Sequence, residues 1–308
     1  MNAELHIQNS QKATFRLRGT LRHAEPMARH TSWRVGGPAQ HFFQPADVED
    51  LALFLKHTPQ TEPLLWLGLG SNLLVRDGGF NGSVIAVSGA LNQLTLLDAH
   101  TLRAEAGVAC AKVARFAARA SLAGVEFLAG IPGTVGGALA MNAGAHGGET
   151  WQWVCAVETL DRHGARHLRT PQDYHIGYRS VQPHAAREEW FSAAHFRLAP
   201  GVSAAINARI KQLLEKRNQT QPTQQPNAGS VFRNPPGDHA ARLIESCGLK
   251  GLCIGGACVS DKHANFIINT GTATAADIEA LIKKMADTVQ HKCGVQLVAE
   301  VRVVGERS

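Results

Sequence analysis

Residues 130–149 read GIPGTVGGALAMNAGAHGGE, a stretch with seven glycines and no Asp, Glu, Lys or Arg before Glu149. Glycine destabilises a helix or strand interior by roughly 0.5–1 kcal/mol relative to alanine, so such a dense cluster needs a reason. One interpretation is a run of surface turns. The other is a loop whose backbone N–H groups approach an anionic ligand closely, because no Cβ stands in the way.

The composition is that of a globular protein with a substantial core. The chain has 308 residues, of which 44% are hydrophobic and 18% charged, and this length predicts about two domains. No apolar run approaches the roughly 20 residues that span a bilayer, and the amino terminus is polar where a secretion signal is apolar. We therefore expect a cytoplasmic protein that does not bind a membrane.

The net charge of +6 is compatible with nucleic acid, an anionic membrane or small anions as partners. Nucleic-acid binding would normally show a basic stripe with interleaved aromatic residues. Here Lys and Arg are mostly scattered singly, and the only adjacent pair of lysines is Lys283 and Lys284. The charge therefore favours small polyanionic ligands and argues against nucleic acid.

The cysteines show no CxxC spacing; they are Cys110, Cys155, Cys247, Cys253, Cys258 and Cys293. Cys253 and Cys258 with His263 could belong to a zinc site, but structural zinc sites are usually spaced more tightly and a fourth ligand is not evident. We expect no metal, and we expect the thiols to be buried and reduced.

Hydrophobic periodicity predicts most of the secondary structure. Helices are predicted at 47–57, 110–121, 203–219 and 240–248, with a further helix after the Thr274–Asp277 capping box. Strands are predicted at 64–67, 83–88, 101–106, 153–160, 190–198 and 295–305. In the last strand, Leu297 and Val301 face one way, whereas Glu300 and Arg302 face the other.

Before Pro200, short strand-like runs alternate with glycine-rich turns, whereas helical patterns follow it. This change predicts the domain boundary. Residues 1–29 form an amino-terminal extension in this division. Residues 30–200 form one domain, with a break near residue 90, and residues 201–308 form a carboxy-terminal α/β domain.

The glycine stretch matches neither of the common phosphate loops. It lacks the GK[ST] of a P-loop, and its glycine spacing is not GxGxxG. A second glycine loop, GLGSNLLVRDGGF (68–80), has Leu73 in place of the third glycine of that fingerprint, so a Rossmann site is poorly supported. Two such loops, with a third glycine pair in TSWRVGGPA (31–39), suit one ligand with an extended diphosphate.

Six ordered motifs together resemble the UDP-N-acetylenolpyruvoylglucosamine reductase family of peptidoglycan synthesis. They are TSWRVGGPA, LGLGSNLLVRDGGF, IPGTVGGALAMNAGAHGGE, IGYRS, PNAGSVFRNP and LVAEVRVVG. The resemblance implies an α+β fold, with an FAD-binding domain of the vanillyl-alcohol-oxidase (PCMH) type in two subdomains and a carboxy-terminal α/β substrate-binding domain. It also implies non-covalent FAD, NADPH as co-substrate, and reduction of UDP-N-acetylglucosamine enolpyruvate to UDP-N-acetylmuramate.

The resemblance assigns residues to three roles. The implied FAD-binding residues are Arg34, Gly36, Gly68, Gly70, Ser71, Asn72, Gly130, Ile131, Pro132, Gly133, Thr134, Gly136, Gly137, Asn142 and Gly144. The implied catalytic residues are Arg179 and Glu300, which stabilise an enolate, and Ser230, which donates a proton. The implied substrate-binding residues are Tyr178, Arg217, Arg233 and Asn234.

The chain departs from the family pattern at a few positions. It reads YRS where the family tends to have a residue between Arg179 and the serine, and His146 replaces a common tyrosine. The compact segment between Arg179 and Ser230 resembles the type II subclass, which lacks an extra tyrosine-bearing loop over the substrate.

Two other functions stay open on the sequence. One is a flavin oxidase of the same fold that passes electrons from an alcohol or sugar to oxygen. The other is a flavin- or nucleotide-binding regulatory protein without turnover, whose carboxy-terminal domain binds a partner. The combination of Arg179, Ser230 and Glu300 favours the reductase, and we expect a monomer that binds a UDP-sugar and NADPH.

Overall fold

A computed structural model describes residues 16–308, which form three modules around a common cavity. The first module contains strands β1 to β5 and one helix. These are β1 Thr20–Pro26, β2 Pro38–Gln44, α1 Val48–His57, β3 Leu64–Leu67, β4 Leu73–Val75 and β5 Phe80–Ala86. The main sheet has the order β1-β2-β5-β3, in which β5 runs parallel to both of its neighbours. Asp47 is the N-cap of helix α1, and its carboxylate accepts a hydrogen bond from the backbone N–H of Asp50 at 2.9 Å.

The second module is built on an antiparallel sheet of order β12-β11-β15-β7-β6. Its strands are β6 Leu94–Leu96, β7 Thr101–Glu105, β8 Leu122–Ala123, β9 Gly144–Ala145, β10 Gly148–Glu149, β11 Val154–Asp161, β12 Arg166–Arg169, β13 Tyr174–Gly177, β14 Ser180–Pro183, β15 Glu189–Arg197 and β16 Ala199–Pro200. Its helices are α2 Cys110–Arg119, α3 Val135–Met141 and α4 Ser203–Thr220. Strands β13 and β14 form a hairpin that projects toward the cavity.

The carboxy-terminal module packs two helices on a small antiparallel sheet of order β17-β18-β19. Its elements are α5 Ala240–Ser246, β17 Cys253–Ile254, β18 Ala257–Val259, β19 Ile267–Asn269, α6 Ala275–Cys293 and β20 Arg302–Val304. Strand β20 leaves this module and pairs in parallel with β4 of the first module. The end of the chain therefore joins the carboxy-terminal module to the amino-terminal one.

The packing differs from the predicted division of the chain at two places. Strand β1 pairs with β2 throughout its length, so residues 20–26 of the predicted extension belong to the first sheet. Helix α4 buries Ile206 and Ile210 in the core of the second module, because its apolar face meets α2. The carboxy-terminal module thus begins after α4, near residue 221, rather than at residue 201.

The predicted strand at 295–305 is wrong over most of its length. Only Arg302–Val304 is a strand, and the preceding segment makes a single bridge, between Ala299 and Phe232. The backbone N–H groups of Glu300 and Val301 both point to the carbonyl of Val231, at 2.8 and 3.4 Å, which a regular ladder does not allow. The alternation of apolar residues reflects burial of Leu297 and Val301 in the core instead.

The expectation of six buried, reduced thiols is also wrong. Cys253 and Cys258 face each other across β17 and β18 and form a disulfide, because the hairpin register places the two residues opposite one another. Cys253 is exposed, and so is the free thiol of Cys293, whereas Cys110 and Cys247 are free and buried.

Several local predictions are confirmed. The capping box of α6 is present, with the backbone N–H of Asp277 donating to Thr274 Oγ1 at 3.1 Å and that of Thr274 to Asp277 Oδ2 at 2.9 Å. Gly248 follows α5 with a φ of +72°, in the left-handed region typical of residues that end helices. Strand β3 has the predicted bounds.

Thr274→Ala should lower the free energy of unfolding by about 1 kcal/mol, because it removes the hydroxyl that accepts the Asp277 N–H. Urea unfolding followed by circular dichroism measures this change. The matched control is Thr288→Ala in the same helix, where the hydroxyl bonds to the Lys284 carbonyl and caps nothing. Equal losses in the two variants would contradict the capping role.

Candidate active site

A cavity of about 700 Å³ lies where the three modules meet. Its wall includes the two glycine loops at 68–73 and 130–137, the β13–β14 hairpin, the end of α4 and residues 228–230. Pockets for small molecules and cofactors typically have volumes of about 300–1,000 Å³, so this one accommodates a large ligand.

The glycines of the two loops serve different purposes. Gly70 has a φ of +62°, and a Cβ there would lie 2.1 Å from the carbonyl oxygen of His30, so the fold itself requires glycine. A Cβ at Gly133 would meet only Ser71 Oγ at 3.6 Å and Ile131 Cγ2 at 3.8 Å, and one at Gly137 would meet only Thr134 Oγ1 at 3.9 Å. The protein's own atoms leave room at these two positions, which face the cavity. Glycine there keeps the backbone open to a ligand.

Three polar atoms in residues of the cavity wall are buried without a hydrogen-bond partner. They are Thr134 Oγ1, Trp66 Nε1 and Arg187 Nε. Buried polar groups are almost always paired in folded proteins, so these atoms fit a ligand that offers several acceptors. The phosphates, ribose and adenine of FAD offer such acceptors, and the residues present therefore fit this cofactor.

The charge of the wall also fits polyanionic ligands. Five basic side chains line the cavity, against the two carboxylates of Glu189 and Glu300; the basic residues are Arg179, Arg187, Lys216, Arg217 and Arg302. An excess of positive charge in a cleft raises the local concentration of anionic substrates.

Arg179 and Glu300 form an ion pair on the wall. Arg179 Nε donates to Glu300 Oε1 at 2.9 Å, and only 17% and 13% of the two side chains are exposed. The terminal nitrogens of Arg179 donate to the carbonyls of Gly144 at 3.0 Å and Asn142 at 3.4 Å. These bonds use three of the five N–H donors of the guanidinium, so two remain for a ligand.

Ser230 lies on the wall beside this pair because of a backbone connection. The next residue, Val231, accepts the N–H of Glu300 at 2.8 Å. Asn265 secures the same loop: its carbonyl accepts the Val231 N–H at 2.9 Å, and its side-chain amide donates to the carbonyl of Phe232 at 2.8 Å. The sequence-predicted catalytic residues Arg179, Ser230 and Glu300 are thus brought together.

The first glycine loop also contacts this cluster. Asn72 Nδ2 donates to the carbonyl of Glu300 at 3.0 Å, and the Asn72 carbonyl accepts the N–H of Arg302 at 3.1 Å. The loop that faces the predicted cofactor therefore also holds the backbone of Glu300.

Burial shifts the protonation of two groups on the wall. Desolvation raises the pKa of Glu300, and the positive charges of Arg179 and, more weakly, Arg233 oppose that rise. Burial lowers the pKa of His146, and the charges of Lys216, Arg209 and Arg217 lower it further. His146 is therefore neutral at physiological pH.

Most of the residues predicted to bind FAD lie on the cavity wall. They are Gly68, Gly70, Ser71, Asn72, Gly130, Ile131, Pro132, Gly133, Thr134, Gly136, Gly137 and Gly144. Arg34 and Gly36 do not lie there. Arg34 is exposed on the loop behind Gly70, where the backbone N–H of Ser32 donates to the Gly70 carbonyl at 3.1 Å. That loop supports the glycine loop from outside the cavity.

Asn142 is also absent from the wall, because it is buried below the surface of the cavity with 1% of its area exposed. Its side-chain hydrogen bonds go to Glu149, Gly177 and Trp151. The prediction that Asn142 contacts FAD is therefore not supported by its position.

The predicted substrate-binding residues fall into two groups. Arg217 lines the cavity. Tyr178, Arg233 and Asn234 lie outside the cavity wall, although Tyr178 is in direct contact with the catalytic cluster: the Arg179 guanidinium carbon lies 5.1 Å from the centre of its ring. The Tyr178 hydroxyl accepts the backbone N–H of Asn234 at 3.5 Å, which connects the second module to the carboxy-terminal one.

Sequence reasoning missed several residues of the site. Lys216, Arg187 and Trp66 line the cavity, and Asn265 holds the Ser230 loop. Asn265 lies in the segment VSDKHANF (259–266), but Lys216, Arg187 and Trp66 lie in no recognisable motif. The sequence contains two indications of this proximity. Lys216 precedes the predicted substrate-binding residue Arg217, and Trp66 lies in the predicted strand that leads into the first glycine loop.

Comparison with known proteins identifies the class of the protein first. Residues 39–168 match the family model described as "FAD binding domain". Together with the glycine loops, the unpartnered polar atoms and the basic wall, this match defines an FAD-dependent oxidoreductase.

The particular family follows from the remaining matches. Residues 221–304 match the model "UDP-N-acetylenolpyruvoylglucosamine reductase, C-terminal domain". The chain is 59% identical over 288 residues to a UDP-N-acetylenolpyruvoylglucosamine reductase of Alkalilimnicola ehrlichii, covering 94% of this chain and 96% of the relative. It is 55% identical over 302 residues to that of Legionella pneumophila, with coverages of 98% and 95%.

A solved structure agrees with these relatives. The UDP-N-acetylenolpyruvylglucosamine reductase of Thermus caldophilus aligns with a TM-score of 0.79 and 34% identity, covering 93% of this chain and 99% of that one. The chain belongs to the UDP-N-acetylenolpyruvoylglucosamine reductase family. The predicted α+β fold, with an FAD-binding domain and a carboxy-terminal substrate domain, is confirmed.

Replacing Gly133 should lower the affinity for FAD without lowering the thermal stability of the apoprotein. Gly133→Ala and Gly133→Val add one and three carbon atoms at a position where the nearest protein atoms leave room and FAD is expected to lie, so FAD affinity should fall in that order. For valine we expect about a tenfold or larger rise in the dissociation constant, which corresponds to about 1.4 kcal/mol. Fluorescence titration with FAD and thermal melts of the apoprotein measure the two quantities. Unchanged flavin affinity in both variants would remove this loop from the cofactor site.

Glu300→Gln should change the pH dependence of stability. Because the folded pKa of Glu300 is raised, the folded state retains its proton at pH values where the unfolded chain, with a pKa of about 4.3, has lost it. The stability of the parent therefore falls as the pH rises above that value, and Gln removes this loss. The melting temperature of the FAD-loaded variant, relative to the parent, should rise between acid and neutral pH. A constant or falling difference would contradict the raised pKa.

Proposed function

We propose that this enzyme reduces UDP-N-acetylglucosamine enolpyruvate to UDP-N-acetylmuramate with NADPH, and that Arg179, Glu300 and Ser230 act on the enolpyruvyl group. The reaction supplies a precursor of peptidoglycan. The observation that supports the roles of these residues is the half-buried Arg179–Glu300 pair beside Ser230, on the wall of a cavity that also contains both glycine loops.

FAD held in this cavity would supply the hydride chemistry that links oxidation of NADPH to reduction of the enol ether. The glycine loops would hold it: Gly133 and Gly137 leave the backbone open, and the Thr134 hydroxyl has no protein partner and could bond to it.

Arg179 binds the substrate carboxylate. A guanidinium can hold a carboxylate through two parallel hydrogen bonds, and Arg179 keeps two donors after its bonds to the protein. As the β-carbon accepts a hydride, negative charge spreads over the adjacent carbon and the carboxylate. A fixed cation at the carboxylate stabilises that charge more than it stabilises the neutral double bond.

Glu300 keeps Arg179 in place and limits the positive charge of the pair. Without a carboxylate partner, the guanidinium would be held only by the carbonyls of Gly144 and Asn142. The half-buried pair costs desolvation, but the bond at 2.9 Å and the backbone bond from Asn72 hold its geometry before substrate arrives.

Ser230 completes the reduction by donating its hydroxyl proton to the α-carbon. Hydride at the β-carbon and a proton at the α-carbon together convert the enol ether to a lactyl ether, and solvent returns a proton to the serine oxygen. A serine hydroxyl is a weak acid, and the transfer is feasible because an enolate carbon is a strong base and the site is cationic.

Further features of the enzyme are proposed on the same basis. Within residues 16–308, the structure contains no helix long and apolar enough to cross a membrane. We propose a cytoplasmic enzyme that acts as a monomer, because both glycine loops and the three proposed catalytic residues line one cavity of a single chain. The basic residues Lys216 and Arg217 at the end of α4 suit the diphosphate of the UDP-sugar or of NADPH.

Ser230→Ala should separate the two half-reactions. Reduction of bound flavin by NADPH should stay within about twofold of the parent, whereas reoxidation by the enolpyruvyl sugar should slow by about a thousandfold, because general-acid catalysis typically contributes about 10²–10⁴. Anaerobic stopped-flow absorbance measures both rates.

The control is Ser203→Ala at the start of α4, outside the cavity wall. It should leave both half-reactions unchanged. Full reoxidation in Ser230→Ala would assign the proton donor to another group.

A further inference from the structure

The side chain of Asn142 is buried beneath the active site, and both ends of its amide are hydrogen-bonded. It ends helix α3 with a φ of +45°, a left-handed conformation that asparagine tolerates better than most residues. Its Nδ2 donates to Glu149 Oε2 at 2.9 Å and to the Gly177 carbonyl at 3.2 Å, and its Oδ1 accepts the Trp151 N–H at 3.1 Å. Both amide hydrogens are therefore committed to the protein.

The bond to Gly177 connects Asn142 to the hairpin that contains Arg179. Gly177 is the last residue of β13 and pairs with Ser180, so Tyr178 and Arg179 form the two-residue tip of the hairpin. Arg179 has a φ of +54°, which is unfavourable for a residue with a Cβ and persists only where contacts hold it. The bond from Asn142 to the Gly177 carbonyl is a contact of this kind, at the base of the tip.

Asn142 also contacts the other end of Arg179. Its backbone carbonyl accepts Arg179 Nη1 at 3.4 Å, and the Gly144 carbonyl, two residues on, accepts Nη2 at 3.0 Å. One residue therefore holds both the hairpin backbone and the guanidinium of Arg179.

We infer that Asn142 is a positioning residue for Arg179, and not a ligand of the cofactor. The inference rests on the proposed role of Arg179 in binding the substrate carboxylate. Loss of the Asn142 amide releases the hairpin tip, so the guanidinium no longer meets the carboxylate as negative charge develops. Reoxidation by the sugar then slows, while flavin binding and reduction by NADPH do not change.

The test is Asn142→Asp, which keeps the size of the side chain and the acceptor for the Trp151 N–H. It replaces the donor to Gly177 with an oxygen and places a second carboxylate beside Glu149. We expect the anaerobic reoxidation rate to fall by about tenfold or more, with FAD affinity and the NADPH half-reaction within about twofold of the parent. Asn207→Asp, on the exposed face of α4, controls for the added charge.

A double-mutant cycle with Arg179→Ala distinguishes positioning from a general structural effect. If Asn142 acts through Arg179, Asn142→Asp should lower reoxidation by less than about twofold once Arg179 is absent. The same loss in both backgrounds would overturn the inference, and so would a matching loss of FAD affinity or an unchanged rate in the single variant.

A second variant protects the test against misfolding. Asn142→Gly keeps the left-handed backbone and the carbonyl that contacts Arg179, while it removes the side-chain bonds, and the same selective loss of reoxidation is expected. The parent enzyme separates the two hypotheses. If the parent is not reoxidised by the sugar, the proposed function fails and this inference with it; if the parent reacts and the Asn142 variants react equally fast, only this inference fails.

Discussion

The ion pair between Arg179 and Glu300 is the interaction on which the active site depends, because it joins parts of the chain that no local structure brings together. Arg179 lies at the tip of a hairpin in the second module, and Glu300 lies in the irregular segment that leads out of α6. Asn72, from the first module, bonds to the backbone of Glu300. All three modules therefore meet at this pair, and the cavity for the cofactor and substrate lies beside it.

The energetic cost of this pair accounts for the hydrogen bonds that surround it. A half-buried cation and carboxylate lose hydration, and their attraction compensates for this only when geometry and additional hydrogen bonds are favourable. The carbonyls of Asn142 and Gly144 supply such bonds to the guanidinium, and the burial that raises the pKa of Glu300 shows the opposing cost. The positive φ of Arg179 is a further cost, which the bonds around the hairpin offset.

Much of the fold, the two glycine loops of the cavity wall and the three predicted catalytic residues could be identified from the sequence. Periodicity located α1, α2, α4 and α5, and the capping pair of Thr274 and Asp277 marked the start of α6, but α3 Val135–Met141 was missed because its glycines favour a loop. The six ordered motifs indicated the family. The rest depended on tertiary contacts. Alternating apolar residues at 295–301 looked like a strand, yet both N–H groups at Glu300 and Val301 turn to one carbonyl. Asn142 stands within a glycine motif, but only the packing shows that its amide faces away from the cavity.

The most direct test of the account is the visible spectrum of the FAD-loaded protein, recorded without oxygen during addition of NADPH and then of UDP-N-acetylglucosamine enolpyruvate. The account predicts that NADPH bleaches the flavin absorbance and that the sugar restores it in stoichiometric amount, with UDP-N-acetylmuramate as the product. Bleaching that oxygen reverses but the sugar does not would contradict the proposed acceptor. Absence of any flavin spectrum after incubation with FAD would contradict the assignment of the cavity itself.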